Sequence, residues 1–212
     1  ILLAKFRLGL FDKALVDESA VADLVNTAEH LQTALQLARE AIVLLTNKDK
    51  VLPLKGDEKI FVTGPNANNH SIMGDWVLPQ PADNITTVVE GLRQVAPRTA
   101  RVDYLDVGDQ VRELSDEDIR QAGERAMDSD VAIVVVGENP LRYERGLKTS
   151  GENIARSNIN LFGRQLELIQ VIQATGKPTV VIFVNGRPLA EPWVVENSAS
   201  LIEAWEPGAL GG

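Results

Sequence analysis

The spacing of hydrophobic residues changes along the chain, from a helical period near the start to short continuous runs further on. Between residues 17 and 45, apolar side chains recur every three or four positions, which predicts an amphipathic helix, or two helices with one break. The segment Asn47-Lys48-Asp49 ends this pattern, and Leu52-Pro53-Leu54 is predicted to be an extended link. The later apolar runs have the length of strands. Strands are predicted over residues 59–63, 102–105, 131–136, 179–184 and 201–205.

Segments with a helical pattern alternate with these predicted strands. Helices are predicted over residues 86–95, 115–127, 162–174 and 188–196. Ser115 is a suitable N-cap for the second of them, with Asp118 at the third helical position. The strand-like run 131–136 contains no polar residue, which is typical of a strand covered on both faces in a parallel sheet. We therefore predict a mostly parallel sheet covered by helices on both faces, a three-layer α/β sandwich.

Composition and charge exclude several classes of function. The net charge is −9 and the Lys and Arg residues do not cluster, so we expect no nucleic-acid partner and no membrane surface. The chain has no cysteine, and its two histidines, His30 and His70, lie far apart in sequence. A zinc site and a Ser-His-Asp triad are therefore not expected, and we predict neither a metal nor a cofactor. Carboxylates are the expected acid–base groups if the chain carries chemistry.

The longest predicted loop follows the most hydrophobic strand. Ligands of open parallel sheets bind at the carboxyl ends of the strands. Here about two dozen residues separate Val136 from the next predicted helix, far more than in a usual strand-to-helix connection. The segment 137–156 carries three carboxylates and four cations: Glu138, Arg142, Glu144, Arg145, Lys148, Glu152 and Arg156. Such a set suits a site in which the pKa of one carboxyl is shifted and hydroxyl groups are bound. Composition alone, however, favours a solvated surface loop.

Two further strand ends carry candidate binding residues. In Gly74-Asp75-Trp76, the indole can stack on a sugar ring and the carboxylate can bind hydroxyls, or the two residues can simply pack and close a turn. In Asn185-Gly186-Arg187-Pro188, the arginine can cap a helix or reach the neighbouring loop. A dinucleotide fingerprint, a Walker A sequence and a Gly-x-Ser-x-Gly elbow are all absent from the sequence.

Short segments spread over nearly the whole chain resemble the second domain of family 3 glycoside hydrolases. The resemblance begins in Glu40-Ala41-Ile42-Val43-Leu44-Leu45-Thr46-Asn47, Val51-Leu52-Pro53-Leu54 and Ile60-Phe61-Val62-Thr63-Gly64-Pro65-Asn66-Ala67. It continues in Gly74-Asp75-Trp76, Val134-Val135-Val136-Gly137-Glu138, Ser150-Gly151-Glu152, Gly176-Lys177-Pro178, Asn185-Gly186-Arg187-Pro188-Leu189 and Ala204-Trp205-Glu206-Pro207-Gly208. Each piece alone is weak, but their order and spacing are specific.

The resemblance implies a retaining exo-acting enzyme that hydrolyses terminal non-reducing β-linked sugars, most similar to a β-glucosidase. In this family a TIM-like barrel supplies the nucleophilic aspartate, and an α/β sandwich supplies the acid/base glutamate from a loop. No segment of this chain resembles the nucleophile segment. The implied partners are a β-linked oligosaccharide or glycoside and a preceding barrel domain of the same protein. The resemblance alone favours a periplasmic or extracellular enzyme over a cytoplasmic one.

The same resemblance ranks the candidate site residues. Glu152, in Ser150-Gly151-Glu152, is the first choice for the acid/base, with Arg156 as its support and as a substrate-binding residue. Glu144 is the second choice and Glu138, at the strand end, the third. Asp75 and Trp76 are predicted to line the aglycone side of the pocket.

The same resemblance implies a domain organisation. Residues 1–16 are predicted to be the linker from the barrel, and residues 17–212 a sandwich domain that lacks its last elements. The piece alone is then expected to be inactive. The alternatives are a domain that only packs against the barrel or binds carbohydrate, and a β-xylosidase or arabinofuranosidase of the same family.

Overall fold

The computed structural model of the chain describes residues 1–212, apart from the side chain of Asp49. Its contacts divide it into two units, Ile1–Gln36 and Leu37–Gly212. The first unit contains α1 (Leu2–Arg7), a 3₁₀ turn (Glu18–Ala20), α2 (Val21–Leu24) and the start of α3 (Ala28–Ala41). Asp17 caps the 3₁₀ turn by accepting the Ser19 N–H at 3.0 Å. The predicted domain boundary after residue 16 differs from this division and stays a prediction.

The second unit alternates strands and helices. It contains β1 (Val43–Asn47), β2 (Lys59–Thr63), α4 (Val88–Val95), β3 (Arg101–Tyr104), α5 (Asp116–Met127), β4 (Val131–Gly137), α6 (Gln165–Gln173), β5 (Thr179–Val184), α7 (Pro192–Asn197) and β6 (Ser200–Trp205). Short 3₁₀ turns lie at Lys48–Lys50, Ser71–Met73 and Ala82–Asn84. Among the described residues, no helix is both long and apolar enough to span a membrane.

The six strands form one sheet in the order β1-β6-β5-β4-β2-β3. All neighbouring pairs are parallel except β1 and β6, which are antiparallel. In register, Val62 of β2 lies beside Ile133 of β4, and Val136 of β4 lies beside Phe183 of β5. The carboxyl ends of β2, β4, β5 and β6 therefore meet at one edge, which brings the loops after these strands together.

The sheet has a hydrophobic core on each face. Alternate residues of the fully buried β4 divide between the two cores, as the side-chain period of a strand requires. Ala132, Val134 and Val136 pack with residues of α5, α6 and α7, whereas Ile133 and Val135 pack on the side of α4. The predicted three-layer α/β sandwich is confirmed.

Two boundaries differ by four residues from those predicted, more than the others do. Residues 43–45 were predicted as the end of the first helical segment, but that helix ends at Ala41 and Val43–Asn47 is a strand. The antiparallel pairing of Val43 with Glu203 accounts for this difference, since such a long-range contact overrides the local helical spacing. The last helix begins at Pro192 rather than at residue 188, because proline fits the first position of a helix.

Candidate active site

The loops after β2, β4 and β5 contact one another at the carboxyl edge of the sheet. Asn66, after β2, donates from Nδ2 to the carbonyl oxygen of Glu138 at 3.0 Å. Arg187, after β5, donates from Nη2 to the carbonyl oxygen of Thr149 at 3.0 Å. Arg187 thus reaches the neighbouring loop, one of the two roles that the sequence left open for it. The long loop 137–156 is therefore anchored from both sides.

Glu138 lies at the centre of this edge and is fully buried, with 0% of its surface exposed. Arg156 Nη1 donates to Glu138 Oε1 at 2.9 Å. Arg187 donates to the same oxygen through Nε and Nη2, at 3.0 and 2.8 Å. A buried carboxylate held by two guanidinium groups is a structural counterion. It presents no open side to a substrate.

The position of Arg156 corrects one expectation. Arg156 was predicted to support Glu152, but its guanidinium pairs with Glu138 instead. Its Nη2 donates to the carbonyl oxygen of Asn160 at 2.6 Å, and the group stacks over the ring of Phe162 at 3.7 Å. Direct support of Glu152 by Arg156 is therefore wrong, while a role of Arg156 in substrate binding stays a prediction.

Asp75, from the loop after β2, holds the backbone of the long loop. Its side chain is buried, with 8% of the residue exposed. Oδ2 accepts the N–H of Glu152 at 2.5 Å, and Oδ1 accepts from Lys148 Nζ at 2.7 Å. Burial by itself would raise the pKa of Asp75, but the bonds from Lys148 and Glu152 and the charges of Lys148 and Arg142 outweigh it and hold this pKa below its usual range.

Gly151 allows this approach. Its φ is +87°, a backbone conformation that glycine adopts without strain. A Cβ atom at this position would lie 2.6 Å from Oδ2 of Asp75, far inside van der Waals contact. The glycine of Ser150-Gly151-Glu152 is therefore needed for two separate physical reasons. It turns the chain, and it leaves room for the Asp75 carboxylate.

Glu152 presents its carboxylate to solvent from this anchored backbone. Its side chain is 44% exposed, and Oε2 accepts from Arg142 Nη2 at 2.7 Å. It lines a pocket of about 350 Å³ together with Arg142, Arg145, Lys148, Asn153 and Ile154. Cationic and amide groups therefore surround an accessible carboxylate, and a carboxyl group within reach of a bound hydroxyl or ether oxygen can exchange a proton with it.

Glu144, the second candidate, lies in a different place. Its Oε2 accepts from Asn139 Nδ2 at 2.7 Å, which ties the side chain to the start of the same loop. It lines a separate pocket of about 350 Å³ whose other residues are Pro65, Asn68, Asn69, His70, Tyr104, Asp106, Gly108 and Asp109. The structure thus does not bring Glu144 and Glu152 into one site.

Among the described residues, no group of three His, Asp or Glu side chains is arranged to hold a metal ion.

Trp76 lies next to the Glu152 pocket. The residue is 74% exposed, and the guanidinium of Arg142 stacks over the indole at 3.6 Å. Arg142 thus connects the aromatic ring to the Glu152 carboxylate. The aglycone-binding role of Trp76 stays a prediction, as does that of Asp75.

Glu206 belongs to this cluster although sequence reasoning did not single it out. It directly follows β6, and burial together with the charges of Asp75 and Glu138 raises its pKa. A Cβ on Gly74 would lie 2.7 Å from its Oε2, and a Cβ on Gly186 would lie 2.6 Å from its Oε1. The two glycines leave the space that this carboxyl fills. Its position just after a predicted strand was the signal that could have found it.

The sequence and the fold match known carbohydrate-active enzymes. The profile of the Glycosyl hydrolase family 3 C-terminal domain matches residues 42–212. The chain belongs to glycosyl hydrolase family 3. Within this family it is 33% identical to a Beta-xylosidase from Formosa agariphila, over 100% of this chain and 29% of that protein. It is 30% identical to a Periplasmic beta-glucosidase from Salmonella typhimurium, over 100% of this chain and 30% of that protein.

Solved family 3 structures share the fold. The beta-glucosidase from Listeria innocua in complex with gluconolactone superposes with a TM-score of 0.86 at 31% identity, over 99% of this chain and 28% of that one. The chain therefore spans less than a third of the length of these relatives. The family resemblance predicted from sequence is confirmed, and the chain is a C-terminal family 3 domain.

Proposed function

We propose that this family 3 domain supplies the general acid/base of a retaining, exo-acting β-glycosidase, and that Glu152 is that residue. The observation that carries the proposal is the contrast among the three glutamates of the long loop. Glu152 has an accessible carboxylate in a pocket and a backbone held by hydrogen bonds. Glu138 is buried between two arginines, and Glu144 is tied to Asn139 in another pocket.

In a retaining reaction the two carboxyl groups lie about 5 Å apart. We expect the nucleophilic aspartate to come from the barrel domain that the family resemblance implies. In the first step it attacks the anomeric carbon while protonated Glu152 donates its proton to the leaving oxygen. In the second step ionised Glu152 takes a proton from the water that displaces the aspartate. The exposed side of the Glu152 pocket leaves room for a leaving group and then for water.

We propose a terminal non-reducing β-D-glucosyl residue as the substrate. A β-xyloside or arabinofuranoside is the alternative, because relatives named as β-xylosidases match as well as those named as β-glucosidases. The ratio of kcat/KM for aryl β-glucosides and aryl β-xylosides in the full-length enzyme separates these substrates. A preference for the xyloside would replace the glucosyl assignment without changing the role of Glu152.

The role of Glu152 is tested by Glu152→Ala in the full-length enzyme. We expect a loss of about a hundredfold or more in kcat/KM on cellobiose, whose leaving group needs a proton. Dinitrophenyl glycosides, whose leaving group departs without one, should lose far less in the first step. Azide should accelerate turnover and form a glycosyl azide, because it replaces the water that the missing base would activate.

Glu144→Ala is the matched control, since it removes a carboxylate of the same loop that lies in the other pocket. We expect it to show no azide rescue. If Glu152→Ala kept wild-type activity on cellobiose, the assignment would be wrong. If Glu144→Ala alone showed rescue by azide, Glu144 would be the acid/base instead. If neither variant changed the dependence on the leaving group, neither Glu152 nor Glu144 would be the acid/base, and that result would favour a non-catalytic packing or carbohydrate-binding domain.

A further inference from the structure

We propose that the Asp75–Lys148 ion pair is a clamp that positions the long loop 137–156 for catalysis. Both side chains act through the backbone of Glu152. This inference rests on the proposed function of Glu152. It assigns to Asp75 a positioning role in place of direct contact with substrate hydroxyls. It also gives Lys148 a role that goes beyond its charge in the loop.

The two side chains hold Glu152 from both sides of its backbone. Asp75 Oδ2 accepts the N–H of Glu152 at 2.5 Å, and Lys148 Nζ donates to the C=O of the same residue at 3.1 Å. Asp75 and Lys148 are joined to each other at 2.7 Å. The N–H and the C=O of one residue are thus bound by opposite charges that neutralise one another. Both hydrogen bonds to the backbone are charge-assisted, which makes them stronger than neutral ones.

The burial of the pair matches a positioning role. The side chains of Lys148 and Asp75 are only 7% and 9% exposed, whereas that of Glu152 is 44% exposed. Breaking a buried ion pair is costly, because the remaining partner is left as an uncompensated charge. The clamp therefore resists opening while the carboxylate that it positions stays accessible.

The oxygens of Asp75 are already occupied. Oδ1 accepts from Lys148, and Oδ2 accepts from Glu152, with Arg142 Nε at 3.4 Å from Oδ1. A sugar hydroxyl would have to displace one of these donors from a residue that is 8% exposed. Positioning through the backbone therefore accounts for the contacts of Asp75 better than substrate binding does.

The long loop needs such a clamp. Between β4 and α6 the chain forms turns and bends but no helix or strand that could fix Glu152. Proton transfer depends on placement to within a fraction of an ångström, and a displacement of about 1 Å can lower a rate about a hundredfold. Asp75 lies in the loop after β2, so the clamp fixes the position of Glu152 relative to the carboxyl end of this strand.

The test compares Asp75→Asn in the full-length enzyme with Asp103→Asn. The control residue forms an ion pair with Arg125 on a different part of the sheet. We expect Asp75→Asn to lower kcat/KM about tenfold to a hundredfold on glycosides with poor leaving groups. On dinitrophenyl glycosides we expect a change of less than about threefold, because these need little proton donation. Azide should give no rescue, because the Glu152 carboxylate is still present, and Asp103→Asn should leave both substrate classes unchanged.

A second variant perturbs the clamp without changing a charge. Gly151→Ala places a Cβ atom 2.6 Å from Oδ2 of Asp75, so it should separate the carboxylate from the loop. We expect the same leaving-group dependence as for Asp75→Asn. The two effects should also be non-additive, because both substitutions break one contact. If Asp75→Asn fails to fold by circular dichroism, Gly151→Ala and Lys148→Met carry the test.

The outcomes separate this inference from the proposed function. If Glu152→Ala shows azide rescue but Asp75→Asn lowers kcat/KM equally for all leaving groups, Glu152 keeps its role and the clamp is overturned. An increase confined to KM would likewise overturn it, since that result indicates substrate binding by Asp75. If Glu152→Ala shows neither leaving-group dependence nor rescue, the proposed function fails. If Asp75→Asn nevertheless showed leaving-group dependence, the clamp would be overturned too, because Asp75 would then act on an acid other than Glu152.

Discussion

Four carboxylates lie near one another at the carboxyl edge of the sheet, and each has different partners. Glu138 is neutralised by two arginines. Asp75 is paired with Lys148 and Arg142, and Glu152 is bound by Arg142 at an accessible position. Glu206 makes no ion pair among the described residues, and its pKa is raised. Burial and partners therefore give chemically identical groups distinct roles, and this decides which of them can exchange a proton with a ligand.

The raised pKa of Glu206 predicts how stability depends on pH. The charged form is disfavoured in the folded state, so the unfolded state releases this proton at lower pH. Folding stability should therefore fall as pH rises from the usual glutamate value of 4.5 to the raised value. We expect Glu206→Gln to raise the Tm of the chain at neutral pH, and this gain should vanish below about pH 4.

The control for this prediction is Glu117→Gln at the start of α5. Bonds from Arg120 and Gln121 lower the pKa of Glu117 to about 2, so its contribution has the opposite sign. Its stabilisation is present above 4.5 and is lost as pH falls through the lowered value. Glu117→Gln should not raise the Tm at neutral pH. Equal Tm values for wild type and Glu206→Gln from pH 4 to pH 8 would contradict the prediction for Glu206.

Sequence reasoning ranked Glu152 first through the family resemblance, and it singled out Asp75 and Trp76 because they follow a predicted strand. It assigned Arg156 to the wrong carboxylate. Within one loop, the spacing of charged residues along the chain does not show which of them form ion pairs, because the pairing depends on how the loop folds. The arginine that contacts Glu152 is Arg142, ten positions earlier. Only the packing of three loops against one another separates these alternatives.

At the scale of helices and strands, the sequence predicted the strands inside the sheet but not the edge strand β1. β2 and β5 lie where continuous apolar runs predict them, because strands buried on both faces need such runs. β1 is an edge strand with three exposed residues, 43–45, and its sequence also fits a helix. Its state is decided by pairing with β6, more than 150 positions later in the chain. Local periodicity carries no signal for such a contact.

The predicted capping box of α5 is present. Ser115 Oγ accepts the N–H of Asp118 at 3.1 Å, and the Asp118 carboxylate accepts the N–H of Ser115 at 3.0 Å. Replacing the serine leaves a backbone donor of the first turn without its partner. We expect Ser115→Ala to lower the free energy of unfolding by about 1 kcal/mol, measured by urea denaturation.

Ser115→Asn is the matched control for the cap, because asparagine caps a helix about as well as serine. It should keep most of the stability that alanine loses. If Ser115→Ala and Ser115→Asn unfolded at the same urea concentration as the wild-type chain, the cap would make no net contribution to folding.

At the scale of the whole molecule, the chain holds one carboxylate of the proposed catalytic pair. The relatives that it matches are about three times as long, and the family resemblance implies that a barrel domain supplies the nucleophilic aspartate. We therefore expect purified residues 1–212 to release no measurable aryl alcohol from aryl β-glucosides. Turnover that disappeared in Glu152→Ala of the same fragment would contradict this expectation, whereas turnover that persisted in that variant would indicate a contaminant.

The hydrogen bond between Asp75 and Glu152 joins residues 77 positions apart in the chain. Closing a loop of this length is entropically costly unless other contacts have already brought its ends together. The pairing of β2 with β4 does so, because each residue lies in the loop after one of these strands. We therefore expect the loop that carries Glu152 to order late in folding, after the central strands have paired. In a chain whose sheet has not formed, the Glu152 carboxylate is then not positioned, so the proposed site can form only when the fold is complete.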